Sequence, residues 1–162
     1  MTSPPSLESS VSDVMAALGE RDAELLVELR VPSCPDRLRL VRAGVSAAAQ
    51  LCGFGSDDVC DIVLAVDEAC QNVIRHAYKS APDGVIVVAL LRDRHSMIVL
   101  LRDFAPTVDA SRIKPRSLDE VRPGGIGVHL INEVMDESGF LPPPSGHGNL
   151  LRMAKRFGVT GC

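Results

Sequence analysis

The most regular pattern of hydrophobic and polar positions lies between residues 57 and about 79. On a helical wheel at about 100° per residue, one face is apolar: Ile62, Val63, Val66, Ala69, Cys70, Val73, Ile74 and Ala77. The opposite face is polar: Asp61, Glu68, Gln71, Asn72, Arg75, His76 and Lys79. The pattern predicts one long amphipathic helix with Ser56 as its N-cap. Glu68, Asn72 and His76 are each four residues apart, so they should stack along one line of this helix.

Weaker patterns predict the remaining elements around this helix. Alternating or continuous β-branched runs predict strands at 24–31, 85–91, 96–102 and 149–157. The second and third of these strands should form an antiparallel hairpin. Helices are predicted at about 34–53 and 126–135, and a short one at 14–18. Residues 105–125 show no period and contain three prolines, and a loop of that length is usually functional or mobile.

Length and composition limit which classes of protein this chain can belong to. A chain of 162 residues is most often one domain, and residues 1–22 are interpreted as a flexible N-terminal extension, 23–158 as the domain and 159–162 as a tail. A net charge of −4 argues against direct nucleic-acid binding, which needs a basic surface. No apolar run is long enough to span a bilayer and no signal pattern opens the chain, so a cytoplasmic protein is expected. The five cysteines form no CxxC pair and are expected to be free, and all but the terminal Cys162 are expected to be buried.

Two polar residues of the long helix could take part in chemistry. The carboxylate of Glu68 could accept a proton from a hydroxyl group or water. Asn72 lies one turn later, and its amide oxygen is a hard ligand of the kind that suits Mg²⁺. Taken alone, a solvated helix face explains both residues better than a ligand site does.

Two later segments offer functions that complement this helix. Asp103 follows an apolar strand, where its carboxylate could accept a hydrogen bond from the exocyclic amine of adenine. Taken alone, a simple strand-ending turn residue explains Asp103 better than a ligand site does. Gly124, Gly125 and Gly127 precede a predicted helix, where glycine allows the backbone to approach phosphate and the free N–H groups attract anions. The spacing excludes both the P-loop and the Rossmann fingerprint.

These three segments, in this order, resemble the N, G1 and G2 boxes of the histidine-kinase-like (GHKL) ATPase superfamily. They are residues 67–78 (DEACQNVIRHAY), 102–106 (RDFAP) and 123–130 (PGGIGVHL). The chain is most similar to the anti-sigma-factor serine/threonine kinases of bacterial partner-switching systems, over about residues 24–158. The resemblance implies a two-layer α/β sandwich (the Bergerat fold), with a mixed, mostly antiparallel sheet and helices on one face.

The resemblance also implies roles for individual residues and for partners. Glu68 corresponds to the catalytic general base and Asn72 to the Mg²⁺ ligand, while Asp103 corresponds to the residue that reads adenine. The remaining ATP-binding positions are Ala105, Gly125, Ile126 and Gly127. The implied substrate is a small anti-anti-sigma protein of the STAS type, and the implied binding partner is a sigma factor. Residues 36–42 correspond to a partner-contacting region. Monomer and homodimer both stay open.

One departure from the family pattern keeps other functions open. The first glycine box usually runs Asp-x-Gly, whereas this chain has Ala105 at the glycine position. The added methyl lies where the backbone approaches the base, and a positive φ there would also strain alanine. A partner-binding module without catalysis, with weak or no nucleotide binding, is therefore the alternative function. A fragment of a phosphotransfer histidine kinase is less consistent, because the chain lacks a helical dimerisation domain with a phosphoacceptor histidine.

Overall fold

The computed structural model describes residues 14–16, 19–20, 22–106, 125–144 and 146–158. Within these ranges one antiparallel sheet is formed in the spatial order β1-β2-β3-β5-β4. Its strands are β1 Glu24–Pro32, β2 Val85–Arg92, β3 Ser96–Asp103, β4 Glu137–Leu141 and β5 Asn149–Arg156. The two-layer α/β fold implied by the resemblance is therefore confirmed, with pairing that is antiparallel throughout.

The helices pack against one face of this sheet. They are α1 Leu38–Leu51, α2 Ser56–Asn72 and α3 Gly125–Val134, with a 3₁₀ turn at Pro35–Arg37 leading into α1. The middle helix, α2, packs against both α1 and α3. Its apolar face is buried as predicted, with Ile62, Val66 and Cys70 fully inaccessible to solvent. The hydrophobic pattern thus determined which side of α2 meets the sheet.

Two predictions about the long helix were wrong in detail. The N-cap position is Gly55, because Ser56 already has helical geometry and makes no side-chain cap. The α-helical hydrogen bonding ends at Asn72, and a π-helical segment, Val73–Ala77, follows. A π segment shifts the angular position of every later side chain. His76 lies in this segment and is exposed, whereas Glu68 and Asn72 are both half-buried.

The edge strand β4 was missed from the sequence. Its residues, ESGFL, are mostly exposed and carry no alternating apolar pattern. The strand exists because its backbone pairs with β5, from Glu137 opposite Ala154 to Leu141 opposite Leu150. As a result β5 lies inside the sheet, between β3 and β4, and does not form its edge.

The sheet carries an apolar cluster on each face. The inner cluster fills the space between the sheet and the helices, and includes Leu90, Val99 and Met153, all with no exposed surface. The outer cluster involves the N-terminal segment, since Val14 packs there and is only 5% exposed. The predicted short helix at 14–18 is confirmed for residues 14–16, while residues 17 and 18 lie outside the described ranges.

The cysteines only partly follow the expectation of buried thiols. Of the four in the described ranges, all are free, but only Cys70 is buried, whereas Cys60 is exposed. Burial raises the pKa of the Cys70 thiol to about 12, with a smaller contribution from the charge of Asp67, so this thiol stays protonated. None of the helices in the described part of the chain has the length and apolar character needed to cross a membrane.

Candidate functional site

Asn72 carries an unusual buried polar atom. Its side-chain oxygen, Oδ1, is inaccessible to solvent and has no hydrogen-bond partner among the described residues. A buried acceptor without a partner is unfavourable by about 1–3 kcal/mol, so it normally signals a ligand, an ion or a water. Glu68 lies one turn earlier on α2, and the described part of the chain offers its carboxylate no ion pair or hydrogen bond.

The end of α2 is shaped so that Tyr78 reaches the sheet. The Tyr78 N–H donates to the Val73 carbonyl at 3.0 Å, which closes the π turn. Lys79 and Ser80 then adopt left-handed conformations, with φ of 50° and 64°. Such conformations are unfavourable for residues with a side chain and persist where the surroundings stabilise them. The Ser80 N–H donates to the Ile74 carbonyl at 2.7 Å, which ends the helical segment.

The hydroxyl group of Tyr78 joins two strands next to Asp103. It donates to the Val85 carbonyl at 2.7 Å and accepts from the Phe104 N–H at 2.8 Å. Phe104 directly follows Asp103, so this bridge ties the end of β3 to the C-terminal end of α2. The partners of Tyr78 lie up to 26 residues away along the chain, so its sequence neighbours give no sign of this role.

Asp103 is buried at the end of β3, with only 3% of its surface exposed. Its Oδ1 accepts hydrogen bonds from Asn149 Nδ2 at 2.9 Å and from the Ala105 N–H at 3.0 Å. Burial raises the pKa of the Asp103 carboxyl, while these two hydrogen bonds act in the opposite direction. Both described bonds end on Oδ1, which leaves Oδ2 as the oxygen to receive a ligand's hydrogen bond.

Ala105 fits its position without backbone strain. The residue is 4% exposed, and its φ is not among the positive values of the described non-glycine residues. The left-handed conformation that would disfavour alanine is therefore absent at this turn. Its N–H also holds the Asp103 carboxylate, which a glycine would do equally. Only the methyl group distinguishes this turn from the usual Asp-x-Gly.

Gly148, which was not predicted to matter, allows the loop before β5 to approach the backbone of Asp103 closely. Gly148 has a φ of +78°, and a Cβ placed on it would lie 2.0 Å from the Asp103 carbonyl oxygen. No side chain fits at that distance, so the approach of the loop before β5 requires glycine. The neighbouring Asn149 then pairs with Asp103 across β3 and β5. The dipeptide Gly148-Asn149 is the only local sequence feature that marks this position. Its role near Asp103 becomes visible only when β5 pairs with β3.

The direction of α3 places the glycine box near the same end of α2. Lys155 Nζ lies 3.7 Å from Asp58 Oδ1 at the start of α2 and donates to the Val134 carbonyl at the end of α3, at 2.7 Å. The two packed helices therefore run in opposite directions. At about 1.5 Å per residue, Gly125 lies roughly 14 Å back along α3, which is level with the second half of α2.

The glycine box itself is only partly described. Gly125, Ile126 and Gly127 form the first turn of α3, and their backbone is helical, so the free N–H groups of that turn belong to these residues. The side chain of Ile126 lies outside the described part, as do residues 107–124, which contain most of the loop predicted at 105–125. The structure thus brings Glu68, Asn72 and Asp103 to one end of α2, with α3 beside them.

A chain of polar contacts occupies the adjacent surface of α1 and α2. Arg42 donates to Asp67 Oδ1 at 2.7 Å, and Gln71 donates to Asp67 Oδ2 at 2.7 Å. Arg75 in turn donates to Gln71. The network fixes the relative position of α1 and α2 and accounts for the polar residues on that side without a ligand. Glu68 and Asn72 do not take part in it.

The residues present fit a magnesium nucleotide better than a metal held by protein alone. No group of His, Cys, Asp or Glu in the described ranges could hold a metal ion by itself. Mg²⁺ commonly keeps its waters and takes one or two protein ligands together with phosphate oxygens. The unpaired Oδ1 of Asn72 is a ligand of the type that such an ion needs.

Comparison with known families gives one match over most of the domain. A family model described as "Histidine kinase-like ATPase domain" matches residues 31–155. The match contains Glu68, Asn72, Asp103 and the glycine box.

Individual relatives are serine-protein kinases named RsbW. The chain is 35% identical over 117 residues to the protein from Halalkalibacterium halodurans, which covers 68% of this chain and 72% of the relative. It is 27% identical over 122 residues to the protein from Bacillus pumilus, which covers 69% and 75%.

Solved structures with a similar fold are more distant in sequence. A structure of SiaB in its complex with SiaC, from Pseudomonas aeruginosa, superposes with a TM-score of 0.63 at 14% identity, covering 89% of this chain and 98% of the other. A structure of RsbU and RsbW domains from Mycobacterium tuberculosis gives 0.57 at 21% identity, covering 80% of this chain. The chain spans only 31% of that longer protein. At these identities the structures confirm the fold alone.

Proposed function

Since the chain belongs to the RsbW-like branch of the histidine kinase-like ATPase family, we propose that it is an ATP-dependent serine kinase and anti-sigma factor. Its substrate would be a small anti-anti-sigma protein of the STAS type, and its second partner a sigma factor that it sequesters. The observation that carries the proposal is the buried, unpartnered Oδ1 of Asn72. A buried acceptor in that state signals a ligand, an ion or a water, and a magnesium nucleotide, which an ATP-binding family implies, would supply the ion.

In this proposal Asn72 and the glycine box bind the phosphate end of ATP. Asn72 Oδ1 would hold Mg²⁺, which when bound neutralises charge on the phosphates. The first-turn N–H groups of Gly125, Ile126 and Gly127 would donate to phosphate oxygens, since a helix N-terminus favours anions. Binding would relieve the cost of the unpaired oxygen and stabilise the first turn of α3.

The adenine end of ATP would be read by Asp103. Its Oδ2 would accept a hydrogen bond from the exocyclic amine, while Asn149 and the Ala105 N–H hold Oδ1 in place. Guanine presents an oxygen acceptor in the corresponding position, which a carboxylate repels. Tyr78 would not contact the base itself. Its hydroxyl group would position the Phe104 backbone next to the carboxylate that reads the base.

The chemical step would depend on Glu68. Its carboxylate has no competing partner in the described residues, so it is available to take the proton of the attacking serine hydroxyl. Its place one turn before Asn72 would bring that hydroxyl close to the transferring phosphoryl group. Positioning and charge stabilisation supply most of the catalysis in phosphoryl transfer, and the base adds to them.

Ala105 favours one alternative function, a module that binds partners but performs no chemistry. Its buried methyl replaces the hydrogen of the usual glycine, so a base stacked on that turn would have less room. In that case the chain would retain a sigma factor or an antagonist and transfer no phosphate.

Calorimetric titration with MgATP tests the proposal at Asn72. Wild type should bind ATP more tightly with Mg²⁺ than without it, and Asn72→Ala should lose that difference. Gln71→Ala is the matched control, because it removes the neighbouring amide of the same helix and breaks only the Asp67–Arg75 network. The control should keep the magnesium dependence. If the wild type does not bind MgATP, the kinase proposal is wrong and the partner-binding module is the remaining function.

A further inference from the structure

Ser33 is almost completely buried, although it lies directly after the end of β1. Its exposed fraction is 1%, whereas serine usually lies at the protein surface and a buried hydroxyl group needs hydrogen-bond partners. The hydroxyl group donates to the Ala81 carbonyl at 2.6 Å and accepts from the Gly84 N–H at 3.0 Å. The Ser33 N–H also donates to the Gly84 carbonyl at 2.8 Å. Ser33 therefore holds both ends of the loop 81–84.

The residues just before this loop have strained backbones. Lys79 and Ser80 are exposed and have φ of 50° and 64°, conformations that persist in residues with a side chain only where the surroundings hold them. The bond from the Ser80 N–H to the Ile74 carbonyl holds this turn from the side of the helix. The bond from Ser33 to Ala81 holds it from the side of the sheet. The hydroxyl group of Ser33 thus helps to keep a backbone conformation that is unfavourable by itself.

The loop that Ser33 holds packs directly against Tyr78. The Ala81 N–H donates to the Tyr78 carbonyl at 2.9 Å. A Cβ placed on Gly84 would lie 2.6 Å from three ring atoms of Tyr78, so the ring lies on the glycine backbone and leaves no room there for a side chain. Because Ser33 bonds to both Ala81 and Gly84, a displacement of this loop changes two of the contacts that position Tyr78.

Tyr78 connects the loop to the carboxylate to which the proposed function assigns adenine. Its hydroxyl group accepts from the Phe104 N–H at 2.8 Å, and Phe104 directly follows Asp103. We propose that Ser33 is a positioning residue of the base-reading site, because its buried hydroxyl group holds the loop against Tyr78 and thereby fixes the orientation of Asp103. This role rests on the proposed binding of ATP, although Ser33 itself contacts no part of the nucleotide.

Ser96 offers a matched control at the opposite end of β3. It is 7% exposed, and its hydroxyl group donates to Asp93 Oδ1 at 3.2 Å in the turn between β2 and β3. At about 3.3 Å per residue, Ser96 lies about 23 Å from Asp103 along the strand. Ser33→Ala and Ser96→Ala thus remove the same buried group, but only the first should affect Asp103. Ser33→Cys, kept in reductant, is a second variant that retains the size of the side chain but has only a weak S–H donor.

The first measurement compares the binding of MgATP with that of magnesium purine riboside triphosphate, which lacks the exocyclic amine of adenine. In calorimetric titration, wild type should bind ATP about ten- to a hundredfold more tightly, the scale of a hydrogen bond to a charged group. Ser33→Ala should lower this preference by about three- to tenfold, because a displaced carboxylate makes that bond with poorer geometry. Ser33→Cys should act in the same direction with smaller amplitude, and Ser96→Ala should keep the wild-type preference. A role in stability alone would weaken the binding of both ligands alike.

A second measurement, without nucleotide, tests the contact between the loop and Tyr78. This residue is the only tyrosine of a chain that contains no tryptophan, so tyrosine fluorescence reports on Tyr78 alone. Ser33→Ala should increase the quenching of this fluorescence by acrylamide about twofold, because local opening of the loop exposes the ring. Ser96→Ala should match wild type.

The outcomes separate this role of Ser33 from the proposed function. Unchanged quenching in Ser33→Ala would overturn the connection through Tyr78. If wild type prefers ATP and Ser33→Ala keeps that preference, Ser33 does not position the site and the kinase proposal stands. Equal binding of the two ligands by wild type would remove the role of Asp103 and that of Ser33 with it, and absence of MgATP binding would remove the proposed function as a whole.

Discussion

The amide of Asn149 donates its hydrogen bond to the same oxygen of Asp103, Oδ1, that accepts from the Ala105 N–H. The two donors converge from different parts of the chain and fix the orientation of a carboxylate that is almost completely buried. With Oδ1 held by these two donors, the orientation of Oδ2, the other oxygen of the carboxylate, is fixed as well. An acceptor held in this way can discriminate between ligands that present a donor and ligands that present an acceptor.

Asp103→Asn should change nucleotide selectivity without disturbing this arrangement. Asparagine keeps the Oδ1 acceptor for Asn149 and Ala105, but it replaces Oδ2 by an NH₂ donor that repels the adenine amine. ATP binding should weaken by about 1–3 kcal/mol, the scale of a lost charged hydrogen bond. Calorimetry with ATP and GTP measures the effect, and equal affinity of wild type for the two nucleotides would rule out this role of Asp103.

The same substitution should have the opposite effect on the unliganded fold at neutral pH. Because burial raises the pKa of Asp103 in the folded state, the fold binds this proton more tightly than the unfolded chain does. The resulting contribution to stability is fully present below the unfolded pKa of about 3.9 and is lost as pH rises through the folded pKa. Asp103→Asn should therefore be at least as stable as wild type at neutral pH, and the advantage should shrink on acidification. Urea unfolding at several pH values tests this, and a variant less stable than wild type at neutral pH would contradict it.

Glu68→Gln should separate chemistry from binding. Glutamine keeps the shape and hydrogen-bonding capacity of glutamate but cannot act as a base. Phosphotransfer to a serine-bearing STAS-type antagonist should fall by about 10²–10⁴, while ATP affinity should stay within about tenfold. Asp61→Asn is the control, since Asp61 is also half-buried on the polar side of α2 but lies about two turns before Glu68 and three before Asn72. A similar loss of transfer in both variants would indicate a general effect of charge, not a base.

Gly148→Ala should damage the site, whereas Gly146→Ala should mainly affect the loop. Both glycines have positive φ, +78° and +68°, but a Cβ meets nothing within 4 Å at Gly146 and lies 2.0 Å from the Asp103 carbonyl oxygen at Gly148. Gly146→Ala should destabilise the fold by about 1–2 kcal/mol for the left-handed backbone alone. Gly148→Ala should add about 1–3 kcal/mol for the overlap and weaken ATP binding. Urea unfolding and ATP titration of both variants measure the difference, and equal values for the two would refute the close approach.

Tyr78→Phe should loosen the connection between α2 and the base-reading turn. Without the hydroxyl group, the Phe104 N–H and the Val85 carbonyl lose their partner, at a cost of about 1–3 kcal/mol. The free energy of unfolding should fall by that amount, and ATP affinity should fall with it because Asp103 is no longer held in place. Unchanged ATP affinity in a destabilised variant would show that Tyr78 stabilises the fold only.

Local sequence determined much of this protein because the relevant physics acts over short distances. The apolar period between residues 57 and 72 identified both the buried and the polar face of α2, and it predicted that Glu68 and Asn72 lie one turn apart. The β-branched runs predicted the β2–β3 hairpin, and the glycines at 125 and 127 predicted the start of α3 to within one residue. The family resemblance supplied what the patterns could not, namely that the three segments belong to one fold.

Only the tertiary structure decided how these segments become a site. The bond between Asp103 and Asn149 spans 46 residues of sequence, and strand β4 forms because a partner strand satisfies its backbone, not because its side chains are apolar. The π segment after α2, Val73–Ala77, was not predicted by the helical pattern, which runs on to about residue 79. Val14 packs into the apolar cluster on the outer face of the sheet, although the sequence around it suggests a flexible extension. Each of these outcomes depends on hydrogen bonds or apolar contacts between distant residues, and such contacts exist only after the chain has folded.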